Sequence, residues 1–94
     1  MGSVRVRFGI MPGNYNDTEP GVVVQRVSPG GSADTGGVLA GDRLVAWNGQ
    51  EIGSISNWME LMAENSPGET VIVAVLRNGA RVELQVTLQA ANAR

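Results

Sequence analysis

The chain has 94 residues, of which 43% are hydrophobic and 17% charged, a balance typical of one small globular domain and not of a disordered segment. The formal net charge is −2, with seven arginines and no lysine, so no positive field would attract nucleic acid or an anionic membrane. Without histidine or cysteine, the chain lacks the usual general base, the thiol nucleophile and the commonest zinc ligand. This argues against an autonomous hydrolase, and we expect neither a cofactor nor a metal ion.

The first elements are a strand and a short helical turn. Residues 22–27 (VVVQRV) are mostly β-branched and are bounded by Pro-Gly and by Ser-Pro-Gly-Gly, which predicts a buried strand. Ser32 is a possible N-cap for a single helical turn that begins at Ala33. The glycine pair at 36–37 is expected to end this turn.

The middle of the chain predicts a second strand and the longer helix. Residues 43–47 (RLVAW) form the strand, and Asn-Gly at 48–49 tolerates the positive φ angles of a type I′ turn, after which the chain returns over 50–52. A serine N-cap opens an amphipathic helix over 54–65, and Pro-Gly at 67–68 follows it.

The last third predicts a hairpin with strands over 70–76 and 81–88, joined by Arg-Asn-Gly-Ala. The second strand alternates strictly, so one of its faces is exposed to water. Five or six short strands and two helices predict a mainly β, α+β fold, a small partly open barrel or sandwich capped by the longer helix. We expect one domain over 4–89, a cloning remnant at 1–3 and a tail at 90–94.

Short motifs stand at defined places in this order of elements: Arg7-Phe8-Gly9-Ile10, Gly21-Val22-Val23-Val24, Ser32-Ala33, Gly37-Val38, Gly41-Asp42-Arg43-Leu44-Val45, Asn48-Gly49, the helix from Ser54, and Pro67-Gly68. In combination, these motifs resemble a PDZ domain over nearly the whole chain, with residues 7–10 in the place of the carboxylate-binding loop. The strand order resembles the circularly permuted bacterial type, which occurs in exported proteases; the zinc aminopeptidase kind is the nearer in appearance and the HtrA-like serine protease kind the next. The pattern departs from the family at Gly36-Gly37-Val38, where alanine and leucine are more usual around the glycine, and at Pro12.

The resemblance implies a non-catalytic peptide-binding module, part of a bacterial protease and therefore periplasmic or exported. A C-terminal or extended peptide would add as a β-strand between the loop and the helix over 54–65. The amides of Phe8, Gly9 and Ile10 would hold a free carboxylate, and the side chains of Phe8 and Ile10 would line the pocket for the last residue. The implied site comprises Arg7, Phe8, Gly9, Ile10, Met11, Pro12, Ile55, Met59 and Met62.

Residue chemistry supports this site and leaves alternatives. Glycine at position 9 permits a close approach of backbone to ligand, but it could also mark only a β-bulge. Ile55, Met59 and Met62 lie at i, i+4 and i+7 on one helical stripe that suits an adaptable apolar groove, or they are core residues. The neighbouring stripe, with Trp58, is the better candidate for the core, and Asp42 is interpreted as a structural carboxylate.

Pro12 points to a second kind of function. Amides two residues apart on a strand point the same way, so if the Ile10 amide faces a ligand, position 12 faces it too and has no N–H to donate. The module is therefore either a free peptide binder or an internal regulatory domain. In the second case its groove is guarded or filled by its own or a neighbouring domain, and it positions a protease. Neither nucleic acid nor a membrane is an expected partner.

Overall fold

The computed structural model describes residues 6–13 and 20–90. The predicted cloning remnant at 1–3 and residues 14–19 lie outside these ranges. The elements in chain order are β1 (Val6–Arg7), β2 (Ile10–Pro12), β3 (Val22–Val27), α1 (Ser32–Gly36), β4 (Arg43–Trp47), β5 (Gln50–Glu51), α2 (Ile55–Ala63), β6 (Thr70–Arg77), β7 (Ala80–Thr87) and β8 (Gln89–Ala90).

The strands form two antiparallel sheets that do not close. The larger sheet has the order β2-β3-β4-β6-β7, with β5 attached to β4, and β1 pairs with β8 separately. Five of the strands exceed two residues, so the predicted mainly β fold with two helices is confirmed. Neither helix in the described ranges is long and apolar enough to cross a membrane.

Aliphatic side chains fill most of the core, and three aromatic rings meet at its centre. Phe8 packs edge-on against Trp47 of β4, with ring centroids 5.4 Å apart, and against Trp58 of α2, with centroids 5.8 Å apart. Such edge-to-face pairs stabilise beyond the area they bury. The segment before β2 is therefore fixed to both the sheet and the longer helix.

The Asn-Gly pair at 48–49 adopts the predicted turn, and the Asn-Gly pair of the β6–β7 hairpin has closely similar φ angles. Asn48 and Gly49 have φ of 52° and 83°, and Asn78 and Gly79 have φ of 53° and 80°, as type I′ turns require. The Asn48 side chain also accepts a hydrogen bond of 2.8 Å from the Ile72 N–H, which ties the first turn to β6.

Helix α1 begins one residue before the predicted start and ends at the glycine pair, as predicted. Its N-cap is Gly31, without a side-chain bond, and Ser32 is its first helical residue. Gly37 ends it in the left-handed conformation, with φ of 96°. A Cβ at Gly36 would lie 2.6 Å from Cγ2 of Val86 on β7, so this glycine allows α1 to pack closely against β7.

Helix α2 starts as predicted but ends earlier. The Ser54 hydroxyl caps it by accepting a hydrogen bond of 3.1 Å from the Asn57 N–H. The helix stops at Ala63 instead of 65. Asn65 lies beyond the end of the helix. Its side chain there accepts a hydrogen bond of 2.8 Å from the Trp47 indole N–H and donates a hydrogen bond of 2.9 Å to the Glu69 carboxylate.

The end of the described chain is also more ordered than expected. Ala90, predicted to begin a tail, pairs with Val6, and Gln89 pairs with Arg7. Strand β8 therefore lies beside the segment that leads into the predicted carboxylate-binding loop. Residues 91–94 of the predicted tail lie outside the described ranges.

Asp42 is the structural carboxylate that the sequence predicted. It is 2% exposed, and its oxygens accept bonds of 2.9 and 2.7 Å from Nε and Nη2 of Arg77 and one of 2.9 Å from the Leu39 N–H. Burial acts to raise its pKa, but the Arg77 hydrogen bonds, the Leu39 N–H and the charge of Arg77 outweigh burial and hold the pKa below its ordinary value of 3.8. The pair joins β6 to the loop before β4.

We expect Asp42→Asn to lower the free energy of unfolding by about 1–3 kcal/mol at pH 7, because it removes one partner of a buried charged pair. Since the pKa is lower in the folded state, this stabilisation is complete above the unfolded pKa and is lost as the pH falls through the folded value. Urea denaturation at neutral and strongly acidic pH should show the gap between variant and wild type shrinking in acid. A gap independent of pH would contradict this role, and Glu83→Gln on the exposed face of β7 is the control.

Candidate functional site

Strand β2 is an edge strand with one side unpaired within the described sheet. It pairs only with β3, in the register Ile10↔Val27, Met11↔Arg26 and Pro12↔Val24. The register shifts by one residue between the last two pairs, so Gln25 is the extra residue of a β-bulge in β3. The bulge is therefore in β3 and not at Gly9. This observation weighs against the alternative that Gly9 serves only to form a bulge.

The register decides which backbone groups face the unpaired side. Ser28 N–H donates to the Gly9 carbonyl at 2.8 Å, and Gly13 N–H donates to the Val23 carbonyl at 3.0 Å. Residues alternate between the two sides of an antiparallel strand, so the backbone groups of Ile10 and Pro12 point away from β3. The missing N–H of Pro12 therefore lies on the open edge, beside the carbonyl groups that Ile10 and Pro12 present there.

The polar groups of Val24 confirm this register. Its N–H donates to the Asp42 carbonyl at 2.8 Å, and its carbonyl accepts from the Gly41 N–H at 2.7 Å. Both bonds point toward β4, so Val24 exchanges no ladder bonds with Pro12, its partner in β2.

Three consecutive carbonyls in the predicted carboxylate-binding loop, residues 7–10, are hydrogen-bonded toward the segment 28–33. The Arg7 carbonyl accepts from the Ser32 hydroxyl at 2.6 Å, that of Phe8 from the Ala33 N–H at 2.8 Å, and that of Gly9 from the Ser28 N–H at 2.8 Å. No peptide bond in the described chain is cis. In a planar trans peptide the N–H points opposite to the carbonyl, so the amides of residues 8, 9 and 10 are turned away from that segment.

Gly9 makes this arrangement possible through its backbone conformation. Its φ is +86°, a backbone conformation that residues with a Cβ rarely adopt. An added Cβ would find only ordinary contacts, the nearest being Cα of Gly31 at 3.5 Å. The requirement for glycine is therefore conformational and not a matter of space. Successive amides arranged around such a residue form a concave site for an anion.

The predicted side chains of the loop divide between core and surface. Phe8 is 2% exposed and belongs to the aromatic core, whereas Ile10 is half-buried and packs against that core. Arg7 is exposed, Pro12 is half-buried, and Met11 is 47% exposed. Ile10 and Met11 are thus available at the edge, and the pocket role of Phe8 stays a prediction.

On α2, the predicted stripe is partly core and partly surface. Ile55 and Met62 are half-buried and pack against the core, while Met59 is 55% exposed. Trp58 is 5% exposed and joins the helix to Phe8, as expected of a core residue. Its indole N–H has no hydrogen-bond partner among the described residues, so packing alone holds the ring.

The sequence interpretation missed the residues that hold the loop. Ser28, Ser32 and Ala33 bind its carbonyls, yet Ser32 was predicted only as a cap. It lies 25 residues from Arg7 in the chain, and no local spacing indicates that contact. Within residues 6–13 and 20–90, no group of three acidic, histidine or cysteine side chains is placed to hold a metal ion.

Comparisons with protein families and with known sequences identify a family for this chain. The family model described as PDZ domain matches residues 8–88. The chain is 30% identical over 86 residues to the serine endoprotease DegS of Haemophilus influenzae, covering 92% of this chain and 25% of that protein. It is 36% identical over 72 residues to the periplasmic pH-dependent serine endoprotease DegQ of Escherichia coli, covering 77% and 16%.

Solved structures show the same likeness. An HtrA-type protease, AlgW, with a decapeptide matches with a TM-score of 0.84 and 27% identity, over 97% of this chain and 31% of that one. An aminopeptidase N family protein of Idiomarina loihiensis matches with a TM-score of 0.80 and 26% identity, over 92% and 14%.

The chain belongs to the PDZ domain family, and the predicted resemblance to the PDZ domains of bacterial proteases is confirmed. A PDZ domain is a non-catalytic module, in agreement with the interpretation of the missing histidine and cysteine. The chain spans a quarter or less of the length of DegS and DegQ. Both of these relatives are serine endoproteases, and an aminopeptidase parent stays a prediction.

We expect Gly9→Val to abolish binding of carboxylate-terminated peptides, because a β-branched residue cannot hold φ of +86° without strain. The matched control is Gly79→Val, at φ of +80° in the β6–β7 turn, where nothing lies within 4 Å of an added Cβ. Both variants should lose about 1–2 kcal/mol of stability in urea, but only the first should lose binding by calorimetry. Unchanged affinity in Gly9→Val would show that the loop is not the anion site.

Proposed function

We propose that this PDZ domain binds the C-terminal segment of a protein by adding it as a strand to the open edge of β2. The carboxylate lies against the amides of Phe8, Gly9 and Ile10, and the last apolar side chain packs beside Ile10 and α2. The observation that carries the proposal is the set of three inward hydrogen bonds to the carbonyls of residues 7–9. They turn three successive N–H groups away from the body of the domain.

The surroundings of the loop suit such a ligand. Exposed Arg7 directly precedes these amides in the chain, and hydrogen bonds from backbone amides to a charged carboxylate are stronger than those between neutral groups. Exposed Met11 and Met59 offer flexible thioethers on the strand and on the helix. The similar AlgW structure was solved with a decapeptide. Affinity is expected to be roughly micromolar, about 8 kcal/mol.

We further propose that the parent protein is an exported or periplasmic protease of the HtrA kind, in which this domain recognises peptide ends or a neighbouring domain. The support is the likeness to DegS and DegQ, of which the second is a periplasmic protease. The rival proposal, a zinc aminopeptidase parent, is supported by the similar fold of the aminopeptidase N family protein.

The direct test is calorimetry with a library of C-terminal peptides, each made as a free acid and as an amide. Peptides with apolar last residues should bind as free acids at roughly micromolar concentration, and the amides should bind at least ~10-fold more weakly because they lose charge-assisted bonds. Absence of binding below millimolar concentration would overturn free-peptide recognition. It would leave the regulatory alternative, in which Pro12 guards the groove. Equal binding of acid and amide would exclude carboxylate recognition.

We expect Pro12→Ala to tighten peptide binding by up to ~1 kcal/mol, about fivefold, because it restores an N–H on the open edge. The control is Pro67→Ala, which makes the same chemical change in the segment between α2 and β6. Titration of both variants with one free-acid peptide measures the effect. Weaker binding in Pro12→Ala, or an equal gain in the control, would show that position 12 does not face the ligand.

A further inference from the structure

The hydroxyl of Ser32 joins three separate segments of the chain. It is completely buried, donates to the Arg7 carbonyl at 2.6 Å, and accepts from the Gln89 N–H at 2.9 Å. These partners lie 25 and 57 residues away in the chain. One side chain therefore links the start of α1 to the carboxylate-binding loop and to β8.

Ser32 binds the loop through its side chain, whereas Ser28 and Ala33 bind it through their backbone. The carbonyls of Phe8 and Gly9 are bound by backbone amides of Ala33 and Ser28, which most substitutions would leave in place. The Arg7 carbonyl is bound by a side chain and belongs to the same peptide unit as the Phe8 N–H. The orientation of this first donor therefore depends on the Ser32 hydroxyl.

We infer that Ser32 is a positioning residue for carboxylate recognition, and that its bond from Gln89 makes the loop sensitive to the pairing of β8 with β1. This inference rests on the proposed function. A hydroxyl that accepts one hydrogen bond donates another more strongly and in a defined direction. If β8 separates from β1, Ser32 loses the donor that orients it, and the Arg7 peptide unit is held less firmly.

The short β1–β8 pair supports this coupling. Each strand has two residues, with the pairs Val6↔Ala90 and Arg7↔Gln89. The Gln89 side chain adds one bond, from its amide to the Gly30 carbonyl at 3.0 Å. Such a short pair opens at lower cost than the eight-residue strands β6 and β7.

The first test compares Ser32→Ala with Thr35→Ala, which removes a hydroxyl from the same helix that bonds only to the carbonyls of Gly31 and Ser32. One library peptide with an apolar last residue is titrated as free acid and as amide. Ser32→Ala should bind the free acid ~10-fold more weakly, the effect of about one hydrogen bond to a charged group. Its affinity for the amide should change by less than about twofold, and Thr35→Ala should bind both forms like the wild type.

An unchanged preference for the acid in a folded Ser32→Ala variant, or an equal loss for acid and amide, would overturn the inference. Absence of any acid preference in the wild type would instead overturn the proposed function. Circular dichroism shows whether the variant is folded, and the next pair of variants provides the test if it is not.

The second test uses two changes at Gln89, whose side chain is exposed. Gln89→Pro removes the N–H that donates to Ser32, whereas Gln89→Ala keeps that N–H and loses only the side-chain bond to Gly30. The proline variant should bind the free acid several-fold more weakly and the alanine variant should not. Equal affinities would overturn the link between β8 and the loop.

Discussion

The packing of Phe8 between Trp47 and Trp58 connects the loop at residues 7–10, strand β4 and helix α2, on which the proposed peptide recognition depends. The ring follows the first peptide unit of the carboxylate-binding loop, and its edge-on contacts at 5.4 and 5.8 Å fix that unit to β4 and to α2. The loop and the helix are the two walls of the proposed groove, so their separation is set by buried aromatic contacts and not by the ligand. Edge-to-face geometry has a defined orientation, which aliphatic packing alone would not impose. This packing leaves the buried indole N–H of Trp58 without a hydrogen-bond partner among the described residues.

The proposed recognition follows from the distribution of backbone hydrogen bonds in the loop. Carbonyl groups of the loop are satisfied inside the domain, so its amides remain for a partner, and a positive φ at Gly9 lets the chain continue into β2. An open edge strand is also a risk, because any extended chain can pair with it. Here β2 has three residues, faces a bulge at Gln25, and contains Pro12 on its open side. These features favour a ligand recognised at its end over one that pairs along a long edge.

Much of the fold could be predicted because the chain marks its elements locally. The strands Val22–Val27 and Arg43–Trp47 were predicted with the observed bounds, since β-branched or apolar runs there are bounded by turn residues. The predicted end of α2 and the predicted start of the tail were wrong, because contacts with residues far away in the chain determine both. Asn65 leaves α2 for the Trp47 indole, and Ala90 pairs with Val6. At the candidate site, the Phe-Gly-Ile segment indicated the loop, but the Ser32 hydroxyl that holds it depends on contacts across 25 and 57 residues, which no periodicity encodes.

The most direct measurement is an NMR titration of the ¹⁵N-labelled domain with a free-acid peptide that has an apolar last residue. The amide signals of Phe8, Gly9 and Ile10 should move furthest, because these protons form new hydrogen bonds to a carboxylate, and the amidated peptide should not move them in this way. The contradictory result would be a peptide that binds while those three signals stay in place and the largest changes occur elsewhere. The exposed outer side of β6 at Ile72 and Leu76 is such a surface.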